Sequence, residues 1–515
     1  MTTPAITSST VSLWLDRPEP ISDEPLPAGD VLDDVIVGAG ITGLTTALLL
    51  ARSGRRVAVV EGGVVGSLAS GNTTGKVSLL QGTKISRMLG YQSAKVTRAY
   101  IDGNREGQQW LLNFCAEHGV PVQLRDAVTY ASSPEQRSAL DRELRATQEV
   151  GLDTHLADDL DVPFPQFGGV VLPDQVQLDP LDALAALVSQ IRVHGGSVHQ
   201  RHRVVKVSYS GERTVTLEDG TTLRAGHVVL ATGTPILDRG LYFAKLEPLR
   251  SYVLAFDAPA GWAPDGMYLS AGSPGRSIRN VPRDGGTPKL LVGGNGHGVG
   301  RTSSEREQVD ALRGWTAQHF PGTVETHAWS AQDYRSHDSF PYVGALPRGG
   351  GRIFVATGFD KWGLASGVMA ARSISAQILD QPPSWQRVMG HRVTRPSGVA
   401  HAALMNAKVG LAATRSAVAG EVRSAPEKPA DGDGRVGRRG VVPTGVSTVG
   451  GTTCAVRAIC THLGGVLAWN DNERTWDCPL HGSRFGADGS VIEGPAVHDL
   501  HRLQDDAAEQ RRPSS

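Results

Sequence analysis

One stretch constrains the fold more than any other: Asp34–Glu61, DVIVGAGITGLTTALLLARSGRRVAVVE. Val35, Ile36 and Val37 predict a short buried strand. Gly38, Gly40 and Gly43 follow at G-x-G-x-x-G spacing, and Leu44–Ser53 predicts the next helix. Val57–Val60 predicts a second buried strand, ended by Glu61. This order of strand, glycine turn, helix, strand and acid suits a dinucleotide. Gly38 permits the tight turn, Gly40 lets backbone approach a pyrophosphate, and Gly43 lets helix and strand pack closely. The helix N-terminus offers unpaired N–H groups to phosphate oxygens. Glu61, eighteen residues beyond Gly43, is placed to accept from a ribose hydroxyl.

A chain of 515 residues, 40% of them apolar, is long enough for two or three domains with their own cores. A net charge of −1 gives no field favouring nucleic acid or an anionic membrane surface. The N-terminus lacks a basic start followed by an apolar core, and no twin-arginine pair lies near it. Val35–Ala51, the nearest approach to a membrane span, is accounted for by strand plus helix. Four cysteines do not make a disulfide framework. The expectation is a soluble cytoplasmic protein with no nucleic-acid or membrane partner.

Residues 1–30 read as an irregular arm, which Trp14 and Leu15 can dock. Gly71–Lys76, GNTTGK, suits a loop passing a cofactor, with an ordinary turn as the alternative. Lys84–His118 reads as polar helix. Asp179 is a good N-cap, and Pro180 suits the first helical turn. Val228–Leu230 predicts a buried strand ending in the small-residue turn Ala231-Thr232-Gly233, which can again approach a dinucleotide. Tyr242–Gly344 alternates strand-like runs with Gly/Pro turns, the texture of an inserted sheet. The chain returns at Ile353–Gly358, followed by a turn through Gly363-Leu364 and a helix to about Leu379. The dinucleotide part is therefore discontinuous, over about 31–90, 175–240 and 345–395, and the substrate part covers about 91–174 and 241–344. Residues 396–421 predict a helix, and Ser424–Gly440 a linker crossed by few contacts. Residues 1–422 are thus expected to fold and to bind their cofactor alone, and 506–515 to fray.

A second site lies in the tail. Cys460-Thr461-His462 and Cys478-Pro479-Leu480-His481 read C-x-H, fifteen residues, C-x-x-H. Two Cys and two His fit a [2Fe–2S] cluster with one iron on thiolates and the other on imidazoles. Gly464-Gly465 and Gly482-Ser483 allow close approach of backbone. Structural zinc is the chemical rival, although it usually takes paired Cys and paired His rather than two mixed pairs.

These motifs carry a resemblance. Cys460–His481, with LGG, HGS and Gly494-Pro495-Ala496, resembles the Rieske iron–sulfur domain over roughly 430–505. Residues 30–395 resemble the FAD-dependent oxidoreductases of the D-amino-acid oxidase superfamily, through VIVGAGITG with Glu61, GNTTGK, LATG and ATGFDKWGL. The whole chain is similar to bacterial Rieske-containing FAD-dependent oxidoreductases. The fold implied is a Rossmann-like α/β FAD-binding domain, discontinuous, with an inserted α+β substrate domain and a C-terminal all-β Rieske domain.

The resemblance implies FAD rather than NAD. It places Gly38, Gly40, Gly43 and Glu61 on the ADP half, and Thr73, Thr74, Lys76, Gly358, Gly363 and Leu364 towards the flavin ring; Ala231 and Gly233 belong to the turn that approaches the dinucleotide. Covalent relatives attach flavin through Cys or His. Cys115 is the one cysteine outside the tail and lies far from the motifs, so non-covalent FAD is expected. Arg335 and His337 precede FPYVG in a region facing the ring in relatives, without an assignable role. High-potential Rieske domains carry a disulfide where this chain has Gly465 and Leu480, and a tyrosine donor where it has Phe485; the serine donor, Ser483, is present. Fewer donors imply a low potential within the range of about −150 to +300 mV.

The implied activity is oxidation of a small amine or amino-acid-like substrate by hydride transfer to flavin. The cluster would exchange single electrons with the flavin and an external donor or acceptor protein. Two alternatives stand beside it: a dioxygen-using oxidase with a structural or sensing cluster, and a non-catalytic electron carrier. No catalytic side chain is assigned.

Overall fold

The computed structural model describes residues 9–17, 21–27, 31–209, 211–237, 239–259, 261–282, 286–390, 395–398, 400–407, 409–410 and 428–503. Val31–Val37 is the hub of the first sheet. It pairs in parallel with Val57–Val60 on one side and with Thr222–Leu230 on the other. Ser197–His199 and Ile353–Thr357 extend the parallel order outward, and Tyr342–Ala345 closes one edge antiparallel. The strands are continuous Val/Ile/Leu runs because both faces are buried, one under helices and the other against the strands Val204–Val207 and Arg213–Leu217. Helix Ile41–Arg52 packs beside helix Gly363–Ile378, where a Cβ on Gly367 would lie 2.6 Å from Thr42 Oγ1. Helix Pro180–Val193 starts where the sequence placed it: Asp179 Oδ1 accepts from Leu181 N at 2.9 Å.

The expected helix 84–118 is two helices, Lys84–Tyr91 and Ala94–Glu117, divided at Ser93, which caps the second. Ala94–Glu117, expected in the substrate half, packs both on residues of that half, such as Leu140, Leu172 and Met267, and on Gly363–Ile378, since Gly107 has no side chain and a Cβ there would sit 2.8 Å from Met369 N. The substrate half is otherwise a nine-stranded mixed sheet. Near one edge, Leu246–Asp257 pairs antiparallel with Lys289–Gly298 and with the edge strand Val324–Ser336.

The N-terminal arm is bound tightly. Trp14 is 2% exposed and donates Nε1–H to Thr73 O at 2.7 Å, and Ser12 Oγ donates to Gly71 O at 2.5 Å. Arg17 pairs with Asp179 at 2.7 Å. The 71–76 loop is therefore held from outside by the arm.

The tail contains two antiparallel sheets. Gly434–Arg439, Val442–Val449 and Thr452–Arg457 make one; Ala468–Asn470, Thr475–Asp477, Arg484–Gly486 and Val491–Glu493 make the other. The linker expectation over 424–440 is corrected here. Gly434–Arg439 is a strand, turned back at Gly440 (φ +61) into a hairpin. Its two glycines hid the alternation, yet Gly434 is required where Trp469 lies 2.3 Å from a Cβ position. Residues 396–398, 400–407 and 409–410 are helical; the rest of the expected 396–421 helix, the start of the linker and the 506–515 tail lie outside the described residues.

The expectation that few contacts join tail and body is also overturned. Arg250 of strand Leu246–Asp257 is 1% exposed on its side chain and pairs with Glu473 and, at 3.2 Å, with Asp477 of the tail. Asp471 of the tail accepts from Ser304 Oγ (2.6 Å), Glu305 N (2.9 Å) and Arg306 N (3.0 Å), the start of helix Glu305–His319. A carboxylate there satisfies orphan N–H groups and meets the positive end of the helix dipole. Arg301 donates to Pro479 O at 3.1 and 3.0 Å. A chain ending at 422 would lack both carboxylates and the tail surface that covers Arg250. In the full chain, Arg250→Met should cost about 3 kcal/mol, the penalty of leaving buried carboxylates short of a partner. Chemical denaturation followed by the cluster spectrum checks this; an unchanged midpoint would remove the network from the interface energetics.

Candidate functional site

A cavity of ≈ 2240 Å³ of empty space, mouth included, opens at the C-terminal ends of the parallel strands. Gly38, Gly40, Glu61, Thr73, Thr74, Lys76, Ala231, Gly233, Gly363 and Leu364 all line it. Strand register explains the convergence: Val37 is paired with both Val60 and Leu230, so three strands end at one level. Gly38 (φ +105) begins the turn, and a Cβ there would stand 2.5 Å from Ala231 O. Gly43 does not line the cavity. A Cβ there would fall 1.9 Å from Gly38 O, so its work is the close packing of helix on turn. Gly358 (φ +81) also stays off the wall, turning the chain against Leu246 and Ser336.

Glu61 is held by backbone: Oε2 accepts from Ala39 N at 2.8 Å and Oε1 from Gly63 N at 2.7 Å. Burial raises its pKa against those two bonds. Each oxygen keeps a second lone pair for a hydroxyl donor. Lys76 Nζ donates to Tyr268 O and Ser277 Oγ, both at 2.9 Å. Burial, then Arg279, pushes its pKa down to about 7. Asp333 is raised to about 6 by burial, against N–H bonds from Tyr334 and Lys361. Arg276, missed in the sequence, lines the same cavity and binds Asn295 Oδ1 at 2.6 Å and Gly275 O at 2.9 Å. The inserted sheet presents Gly293, Gly294 and Gly296 there, a bare wall that leaves room for a ligand; the GGNGHG run was the available signal. Arg335 pairs with Glu247 at 2.7 Å and His337 with Tyr342 at 3.0 Å, and neither reaches the cavity. No cysteine or histidine lines it, and Cys115 is buried elsewhere.

The tail site is built from two loops with one hydrogen-bond plan. Cys460 N donates to Gly465 O (2.8 Å) and Gly464 N to Cys460 O (3.0 Å); Cys478 N donates to Ser483 O (2.8 Å) and Gly482 N to Cys478 O (3.0 Å). Gly464 and Gly482 take φ of +77 and +83, which favours glycine at both. The four predicted ligands come together as like pairs. The Cys478 thiol hydrogen-bonds to Cys460, and the His462 and His481 rings lie edge-on at 5.3 Å. That bond, helped by His462 N–H and the Ser483 hydroxyl, holds Cys460 down at about 6 against burial, while Cys478 is pushed up. Among the described residues no three Cys, His, Asp or Glu side chains converge as one ion would require. Two like pairs suit one thiolate-held and one imidazole-held iron better than a tetrahedral zinc. Gly465 faces Leu480, whose Cδ1 would be 2.7 Å from a Cβ, so van der Waals contact stands where a disulfide would bridge. Phe485 is fully buried and offers no hydroxyl.

The two sites touch. Gln332 and Tyr334 line the cavity, and Gln332 Nε2 donates to Gly482 O at 2.7 Å, beside His481. Phe243 stands edge-on to His462 (6.5 Å) and His481 (5.4 Å). No local sequence pattern marks either contact.

Comparison with known proteins agrees with this geometry. The family described as FAD dependent oxidoreductase matches residues 33–377, and the Rieske [2Fe-2S] domain matches 420–504. The chain belongs to the FAD-dependent oxidoreductase family, with a C-terminal Rieske domain. It binds FAD and a [2Fe–2S] cluster. It is similar to YhfW of Bacillus subtilis (strain 168), by name a Rieske 2Fe-2S iron–sulfur protein: 28% identical, covering 92% of this chain and 93% of that one. Over 57 residues it is 46% identical to cytochrome b6-f complex iron–sulfur subunit 2 of Synechocystis (strain PCC 6803), covering 10% of this chain and 32% of that one. Among solved structures, glycine oxidase from Geobacillus kaustophilus aligns with TM-score 0.58 and 20% identity, over 68% of this chain and 96% of that one. L-proline dehydrogenase from P. horikoshii aligns with TM-score 0.57 and 16% identity, over 70% and 96%. At such identities these structures speak for the fold. Among the described residues no helix is long and apolar enough to cross a membrane.

Two outcomes follow from the site. Gly43→Ala forces a Cβ against Gly38 O, so the purified variant should lack flavin absorption and keep the cluster spectrum; full flavin content would contradict the close-packing role. For Lys76, both folded and unfolded states bind the proton below about 7. Above that only the unfolded lysine does, so the folded state gains as pH rises towards the ordinary lysine range. Flavin-free wild type should therefore gain stability over Lys76→Met across that window, read by denaturation at several pH values.

Proposed function

We propose that the chain oxidises a small amine or amino-acid-like substrate in this cavity. Its cluster would exchange single electrons with the flavin and with an external one-electron partner. Bound FAD would supply the hydride acceptor, and the cluster a one-electron site. In this reading Gly38, Gly40, Glu61, Ala231 and Gly233 hold the ADP half, and Gly43 and Gly358 shape its turns. Thr73, Thr74, Lys76, Gly363 and Leu364 lie towards the ring. Attachment is non-covalent, consistent with a cavity wall free of Cys and His. Cys460 and Cys478 hold one iron, and His462 and His481 the other.

Substrate class follows from charge. Arg276 and Lys76 reach the cavity with no carboxylate partner among the described residues. A carboxylate-bearing amine would neutralise cations that burial otherwise penalises. The inserted sheet and the arm-held 71–76 loop exclude water around it. The names of the aligned structures, glycine oxidase and L-proline dehydrogenase, point the same way.

One observation carries the electron-exchange half of the reading: Gln332 lines the cavity and donates to Gly482 O at 2.7 Å. A single side chain thus joins the cluster loop to the flavin site, and electronic coupling falls less across a hydrogen bond than across a gap. Anaerobic stopped-flow mixing with a panel of amines and amino acids is the test. Flavin bleaching followed by cluster reduction is expected. Gln332→Leu should slow cluster reduction at least about tenfold and leave flavin bleaching within about twofold. A wild-type cluster that stays oxidised while the flavin bleaches would favour a dioxygen-using oxidase.

A further inference from the structure

The Rieske domain supplies part of the cavity wall. Ile492, Glu493, Gly494, Ala496 and Val497 line the same space as Gly38, Gly40 and Glu61. The segment is anchored at one end to the dinucleotide half and at the other to the inserted sheet. Arg203 Nη2 donates to Val491 O at 2.9 Å, and the same guanidinium lies 3.5 Å from a Cβ position on Gly62, next to Glu61. Tyr334 OH donates to Gly494 O at 3.4 Å, while its ring lies 3.5 Å from a Cβ position on Gly233. The segment therefore runs from the Glu61 end of the cavity to the Ala231–Gly233 turn.

Strand alternation sets which side chain faces the cavity. Val491 is 9% and Glu493 7% exposed, both turned into the protein, whereas Ile492 between them is 38% exposed. Glu493 is held by Arg484 at 3.7 Å. The side chain left facing the space beside Glu61 is thus a large aliphatic one. A ribose bound at Glu61 carries a base, and the flat apolar face of a base is what an isoleucine can cover.

We propose that Ile492 packs on the adenosine part of FAD, so that the Rieske domain is a working part of the dinucleotide site. FAD is then clamped between the two domains, its pyrophosphate on the glycine turn of one and its adenosine end under a strand of the other. Flavin retention and docking of the Rieske domain become one property.

The test uses the full chain with its cluster, stripped of flavin. FAD and ADP are titrated by calorimetry, and FMN by fluorescence quenching. Ile492→Asp should weaken FAD and ADP alike by at least about tenfold, and leave FMN within about twofold. The cluster's visible and EPR spectra should not change. Val441→Asp, at an 83% exposed position of the same domain, should change none of these. Wild-type ADP affinity in Ile492→Asp would overturn the proposal. So would equal weakening of FMN, which has no adenosine. Should Ile492→Asp lose its cluster, Ile492→Ser is read by the same comparison, and unchanged ADP affinity there overturns the proposal as well.

Discussion

The buried guanidinium of Arg250 joins the two halves of the molecule. Its side chain, on the inserted sheet, is 1% exposed, and its counter-charges Glu473 and Asp477 come from the Rieske domain. A lone buried cation is costly, and so are two buried carboxylates without a cation. Arg484 shares Glu473 and spreads the charge further. Arg250 also donates to Gln332 Oε1 at 3.0 Å. With its oxygen so engaged, the Gln332 amide must point Nε2 towards Gly482 O and Tyr334 OH. The geometry linking cluster loop and flavin cavity thus descends from one ion pair.

This arrangement differs from a flavoprotein with an electron-transfer module on a tether. Phe243 of the body stands edge-on to the His462 and His481 rings, and Arg301 grips the loop between Cys478 and His481. Asp471 completes a helix N-terminus that belongs to the other domain. Cluster and flavin site are held at a fixed separation by groups that cannot be withdrawn cheaply.

Local chemistry was legible wherever a few consecutive residues do the work. The glycine turn, Glu61, the Asp179 cap and both cluster loops depend on φ angles, caps and short spacings, which sequence displays directly. The cluster pairing needed only two loops with the same bond plan. One misreading has a physical cause. Gly434–Arg439 resembled a linker because its glycines serve packing against Trp469 rather than turning. Helix Ala94–Glu117 packs on its substrate-half neighbours, and Gly107 also joins it to Gly363–Ile378, far along the chain, a contact no local pattern shows.

The sequence by itself determined the parallel-sheet class, the glycine turn and the two Cys/His loops, because those follow from short-range rules; FAD rather than NAD came from resemblance to a family. Only the tertiary structure decided how the sites are combined. Arg250, Gln332, Arg203 and Ile492 carry no motif, and each matters through a partner remote in the chain: Glu473, Gly482, Val491 and the space beside Glu61. Pairings at such separation are set by the packing of whole sheets. A residue's own neighbours in sequence hold no trace of them.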